Sequence, residues 1–199
     1  MIRKATIHGL VAIAIGLVLS ASQSSAGSAP KGKGEELKNL VTGYLAPGAT
    51  PKQAVITLWM SNVNPVGAIS LPFKFAAPDS FWVDSIATRP YRAGSFMMPA
   101  PLYKRELQTL LVNMLRDSDS VKAKTGLVPP GQGTLAVIYL SAAGPFPLDS
   151  LKMAAVKLPP ENVLMYVTDT FNSVQPDFQL VRGAPPTTSA SRKGGGKTQ

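Results

Sequence analysis

The chain has 199 residues, 45% of them hydrophobic, with one histidine, no cysteine and a formal net charge of +9. The histidine is His8, so everything beyond it lacks both imidazole and thiol; this excludes serine–histidine and cysteine–histidine nucleophiles, and zinc or copper sites built on those ligands. Between Lys52 and Arg182 twelve Lys and Arg meet nine Asp and Glu, and the remaining positive excess lies toward the two ends, which is not the concentrated basic face of a nucleic-acid binder.

In chain order, Arg3 and Lys4 precede an uncharged apolar run, Gly9 to Ala21, too short to span a bilayer comfortably. Ser24-Ser25-Ala26 then gives the small-x-small pattern of a signal-peptidase site, so residues 1–26 read as a signal peptide cleaved after Ala26, with Ala29 as the next choice and an uncleaved anchor as the alternative. With no cysteine there, a lipid-modified N-terminus is not expected, and no later stretch is long and apolar enough for a membrane span. The expected location is outside the cytoplasm, secreted or periplasmic, in a bacterium. Residues 27–50 read as a linker; its Leu37, Leu40, Val41, Tyr44 and Leu45 fall at roughly helical spacing, which fits a turn or two of helix or a simple tether.

Residues 51–182 have the size of one domain, enough to bury a core without disulfides. Ala54 to Met60 alternates, with Ile56, Leu58 and Met60 on one face and Val55, Thr57 and Trp59 on the other. Ile69 to Phe75 does the same, Ile69, Leu71, Phe73 and Phe75 inward and Ser70, Pro72 and Lys74 outward. Pro72 has no N–H for a ladder, which predicts an edge strand or a neighbouring bulge. Phe81 to Thr88 is a third strand with Trp82 and Asp84 outward and a bulge near Ser85. Arg89 to Leu102 is a proline-bearing segment. Glu106 to Leu115 fits a helix by periodicity and a doubly buried strand by its neighbours, with the balance slightly toward strand. Pro129-Pro130-Gly131-Gln132-Gly133 delivers a β-branched central strand, Thr134 to Ala142, and Val163 to Thr168 and Phe178 to Val181 complete the set. Residues 183–199, with almost nothing apolar to bury, read as a disordered basic tail. Short strands punctuated by proline and glycine predict an all-β, two-sheet antiparallel β-sandwich with flexible termini.

The run Trp59-Met60-Ser61-Asn62, then Pro65-Val66-Gly67-Ala68-Ile69-Ser70-Leu71-Pro72-Phe73, then Val83-Asp84-Ser85-Ile86, and finally Val128-Pro129-Pro130-Gly131-Gln132-Gly133-Thr134-Leu135-Ala136-Val137-Ile138-Tyr139, resembles the cohesin-like domains of secreted bacterial proteins. These are fold relatives of carbohydrate-binding modules. The resemblance covers roughly Lys52 to Arg182 and implies a jelly-roll sandwich engaged in protein–protein or surface attachment. It carries over no recognition residues, and the chain shows no dockerin-like calcium-loop repeat.

Four residues are candidates for ligand contact. Trp59 and Trp82 fall on outward strand faces, where flat aromatics stack on sugars or anchor a protein, unless that face is covered and they belong to the core. Tyr91 and Arg92 lie in the basic, aromatic and methionine-rich segment Arg89 to Met98, which is either an adaptable contact surface or a crossover whose Met97 and Met98 plug the core. Asp117-Ser118-Asp119 has the spacing of a partial calcium loop, but Arg116, Lys122 and Lys124 flank it and no glutamate closes it, so a solvated loop is the simpler reading. The carboxylates sit mostly in predicted turns, and no spacing suggests a facing catalytic pair. The sequence therefore points to a non-enzymatic module without metal or cofactor, whose partner is an extracellular protein or, as the alternative, a polysaccharide held by exposed tryptophans; a hydrolase is the remote third choice.

Overall fold

A computed structural model describes residues 37–77, 81–96, 102–116 and 126–187. The signal region, Met97, Met98, the Asp117–Asp119 loop and the tail from residue 188 lie outside the described residues.

Among the described residues eleven strands form two sheets: β1 (Leu40–Pro47), β2 (Gln53–Asn62), β3 (Val66–Ala76), β4 (Phe81–Ala87), β5 (Leu102–Lys104), β6 (Thr109–Leu115), β7 (Gly131–Ala142), β8 (Lys152–Ala155), β9 (Met165–Thr168), β10 (Ser173–Val174) and β11 (Asp177–Arg182). One sheet has the order β11-β1-β2-β7-β4; the other has β10-β9-β3-β6-β5, with β8 continuing the β9 side of β3. All pairs are antiparallel except β1 with β11. The expected two-sheet sandwich is what the chain builds. No helix among the described residues is long and apolar enough to cross a membrane.

Period-two alternation explains the core. Ile56, Leu58 and Met60 from β2 and Ile69, Leu71, Phe73 and Phe75 from β3 all point between the sheets at 2% exposure or less, meeting Leu110, Val112 and Met114 of β6 and Ile138 and Leu140 of β7. Each such side chain contributes about 1.5–3 kcal/mol of transfer free energy. Phe75 and Phe81 meet edge-on at 5.7 Å and tie β3 to β4 across the sandwich. The ladder shifts between Val83 and Ser85, the bulge that the apolar pattern predicts.

Two expectations need correction, and a third holds over part of its range. The apolar patch at 37–45 is not a helix or tether, because Leu40–Pro47 is β1, paired with both β2 and β11. The sandwich therefore begins within the stretch read as linker. Pro72 is not on an edge: β3 has β6 on one side and β9 and β8 in succession on the other. Pairing with β9 stops at Ser70 and pairing with β8 starts at Phe73, so the missing N–H of Pro72 falls in the gap between the two partners. Finally, the Glu106–Leu115 segment divides into a 3-10 turn, Arg105–Leu107, and strand β6, so the strand reading holds from Thr109 onward.

Candidate functional site

The alternation that fills the core sends a second set of side chains outward. On the six-stranded sheet Ser70 of β3 stands directly opposite Asn113 of β6 on one side and Met165 of β9 on the other. One step along the strand, Ala68 stands between Leu115 and Val167. Small residues on the middle strand, flanked by larger ones, make a groove of about 210 Å³. Its far wall is the 158–163 loop, where Leu158 and Asn162 exchange backbone hydrogen bonds of 2.8 Å each way and Lys157 pairs with Glu161 at the rim. Asn113 Nδ2 donates to Asn162 Oδ1 at 3.4 Å and so braces the wall against the floor.

Two polar atoms at this floor are buried and lack a hydrogen-bond partner, Ser70 Oγ and Asn113 Oδ1. A buried polar atom left unpaired costs about 1–3 kcal/mol. Two of them in register, at the floor of a mostly apolar groove, are polar capacity left unused. Ser70 is legible in the sequence as an outward residue of a well-phased strand. Asn113 is not, because it lies in the one segment whose helix and strand readings compete.

The four sequence candidates do not converge. Trp59 is only 7% exposed and lies edge-on to Tyr44 at 6.5 Å, on the outward face of the five-stranded sheet. Trp82 is half-buried, and the Arg105 guanidinium lies over its ring at 5.2 Å, joining the lateral edges of the two sheets. Tyr91 and Arg92 lie in the β4–β5 crossover, along a shallow hollow shared with Arg89 and Ser95. That crossover buries Ala93 and Phe96 in the core. Arg92 turns inward from it: Nη1 donates to Asn62 Oδ1 at 2.8 Å, Gly131 O at 2.9 Å and Met60 O at 3.3 Å, and Nη2 donates to Pro129 O. Burial lowers the Arg92 pKa, partly offset by nearby Tyr166. The same burial drives the Tyr166 phenol well above its ordinary value, against the opposing pull of the Arg92 charge.

The described carboxylates are occupied in pairs or dispersed. Ser141 Oγ donates to Asp84, Asp149 meets Arg182 and Glu161 meets Lys157. Among the described residues no three metal-ligating side chains cluster.

No protein-family model matches the sequence, and no curated protein matches it. Solved structures do match its fold. The sixth cohesin of scaffoldin B from Acetivibrio cellulolyticus, solved in complex with a dockerin, aligns over 74% of this chain and 99% of its own with a TM-score of 0.51 and 12% identity. A type II cohesin domain from the cellulosome of the same organism aligns over 72% and 92% with a TM-score of 0.50 and 11% identity. A type II cohesin from Bacteroides cellulosolvens aligns over 72% and 99% with a TM-score of 0.50 and 12% identity. The chain has the β-sandwich fold of these cohesin domains.

Proposed function

We propose that this cohesin-like sandwich is a non-enzymatic module that binds a protein outside the cytoplasm, through the groove on the outward face of β9, β3 and β6. The unpaired Ser70 Oγ and Asn113 Oδ1 in that groove carry the reading. A partner seated there covers Ala68, Val163, Met165 and Val167 and brings a hydrogen-bonding group to the two oxygens, with half-exposed Leu115 as the side chain that gives way. Burying apolar surface around one satisfied polar pair combines affinity with register. The likeness to a cohesin solved with its dockerin supports a protein as the partner class. The signal-like N-terminus supports export, and the absence of histidine and cysteine beyond His8 supports binding rather than catalysis.

The test is photo-crosslinking from the full chain in its own cell envelope, with a photoreactive residue at position 115. A discrete protein captured there, and lost when Ser70→Trp fills the groove, is the expected result. Equal capture from position 139, on the outward face of the other sheet, would sink the proposal. The N-terminus of the exported chain is expected at Gly27.

A further inference from the structure

The groove occupies only one end of its sheet face. Continuing along β3 in the same outward register, past Pro72, the next residue is Lys74. Its cross-strand neighbour on β6 is Thr109, which in turn pairs with Lys104 on β5. On the other side, β8 places Ala154 opposite Lys74 and Lys152 opposite Ala76. Lys74, Lys104 and Lys152 thus project from one face and are all exposed. Strand spacing puts Lys74 and Lys104 roughly 10 Å apart at their backbones and Lys152 on the near diagonal, about 7–8 Å away.

Among the described residues none of the three has a carboxylate within ion-pair distance, whereas Lys157 and Arg182 do. Among the described residues the acidic residues nearest in the chain to Lys104 and Lys152 are Glu106, in the 3-10 turn that joins β5 to β6, and Asp149, already paired with Arg182. The face is therefore divided, with an apolar groove holding an unpaired polar couple at one end and three uncompensated ammonium groups at the other. Exposed Leu102 and half-buried Leu111 lie between the two halves.

Resting on the docking reading above, we infer that the partner is a protein whose contact surface is acidic as well as apolar, with an apolar anchor for the groove and carboxylates placed for Lys74, Lys104 and Lys152. Charge complementarity of this kind steers encounter and rejects basic competitors. A polyanion without apolar groups would meet the lysines and leave the groove wet, so the combination of halves favours a protein over a polysaccharide or a lipid surface.

A random peptide library selected on the full chain tests this. The enriched peptides, resynthesised, are expected to place Asp or Glu beside an apolar residue. Their affinity should fall about tenfold or more between about 50 and about 500 mM salt. It should fall by a similar factor in the triple variant Lys74→Glu, Lys104→Glu, Lys152→Glu, whose exposed positions leave thermal unfolding unchanged. Peptides without acidic enrichment, or indifferent to the triple reversal yet lost on Ser70→Trp, overturn the charge inference and leave the groove reading standing. Peptides indifferent to Ser70→Trp overturn the groove reading itself. Phosphatidylserine vesicles or heparin binding as tightly as the peptides, sensitive to the triple reversal and indifferent to Ser70→Trp, would assign the lysines to a lipid or polysaccharide and overturn the proposal.

Discussion

Arg92 Nη1 donates to Asn62 Oδ1 at 2.8 Å, and Asn62, with no exposed surface, donates through Nδ2 to Asn64 O at 2.8 Å and Pro129 O at 3.1 Å. One guanidinium from the crossover thus fastens the end of β2 to the start of β7. The β2–β7 register shifts just inside this knot, between Leu58 and Trp59. All the Arg92 acceptors named are neutral, so the charge is held by dipoles rather than by a counter-ion. Arg92→Ala would strand a buried amide oxygen and is expected to cost about 2–3 kcal/mol. Arg92→Lys should recover less than half of this, because an ammonium lacks the planar fork. Urea denaturation measures both, and a loss below about 1 kcal/mol for the alanine variant would show the knot to be slack.

The groove should behave in the opposite way. Ser70 Oγ has no partner to lose, so Ser70→Ala is expected to leave stability within about 0.5 kcal/mol or to raise it. A loss above about 1.5 kcal/mol in chemical denaturation would mean that the hydroxyl is bonded in the free protein.

Alkaline pH should unfold the protein through Tyr166. Its phenol is 1% exposed and donates to Leu40 O at 3.2 Å, joining β9 to β1 across the sandwich. Because the folded pKa lies above the unfolded value of about 10, this contribution is complete below that pH and is lost progressively as pH rises past it. Tyr166→Phe is expected to flatten the decline above about pH 10 at a cost near 1 kcal/mol at neutrality, read from urea midpoints across the pH range.

Deleting residues 1–47 removes β1, the strand that pairs β11 with the rest of its sheet. The shortened chain is expected to show no cooperative thermal transition, whereas deletion of residues 1–36 should leave the transition intact. A cooperative 48–199 chain would mean that β1 is dispensable.

Phe171 sits at φ 62 and is 70% exposed, in a turn closed by Thr168 N–H to Asn172 O at 2.9 Å and Phe171 N–H to Thr168 O at 3.0 Å. A left-handed backbone costs a bulky residue about 1–2 kcal/mol. Asparagine tolerates it better, so Phe171→Asn should raise the melting temperature; no rise would show that the ring contributes packing that offsets the strain.

Strands β2 and β3 were legible because each alternates over six or more residues between clear turn signals, β4 by a shorter alternation that breaks at its bulge, and β7 by a β-branched run delivered by a proline–glycine loop. β1 was hidden for a local reason. Gly43 takes an inward position between Val41 and Leu45, where an added Cβ would approach Leu180 Cδ1 at 3.1 Å and Ile56 Cγ2 at 3.4 Å. With that inward position blank, the remaining apolar residues fell at helical spacing. β5, β8 and β10 are two to four residues long and too short to show a period. The groove escaped notice because its signal is a pairing, Ser70 opposite Asn113 across 43 positions of chain, and only the register creates it. The tryptophans drew attention by chemistry, yet Trp59 is covered by its own sheet's side chains.

The parallel pairing of β1 with β11 also decides how this module carries load. The chain enters the sandwich at the start of β1 and leaves at the end of β11, with the two strands aligned over six residue pairs. Tension applied through the preceding and following chain would slide these strands lengthwise, so their hydrogen bonds resist together rather than parting one by one as in a hairpin pulled open. The topology makes the joint between β1 and β11 a shear clamp.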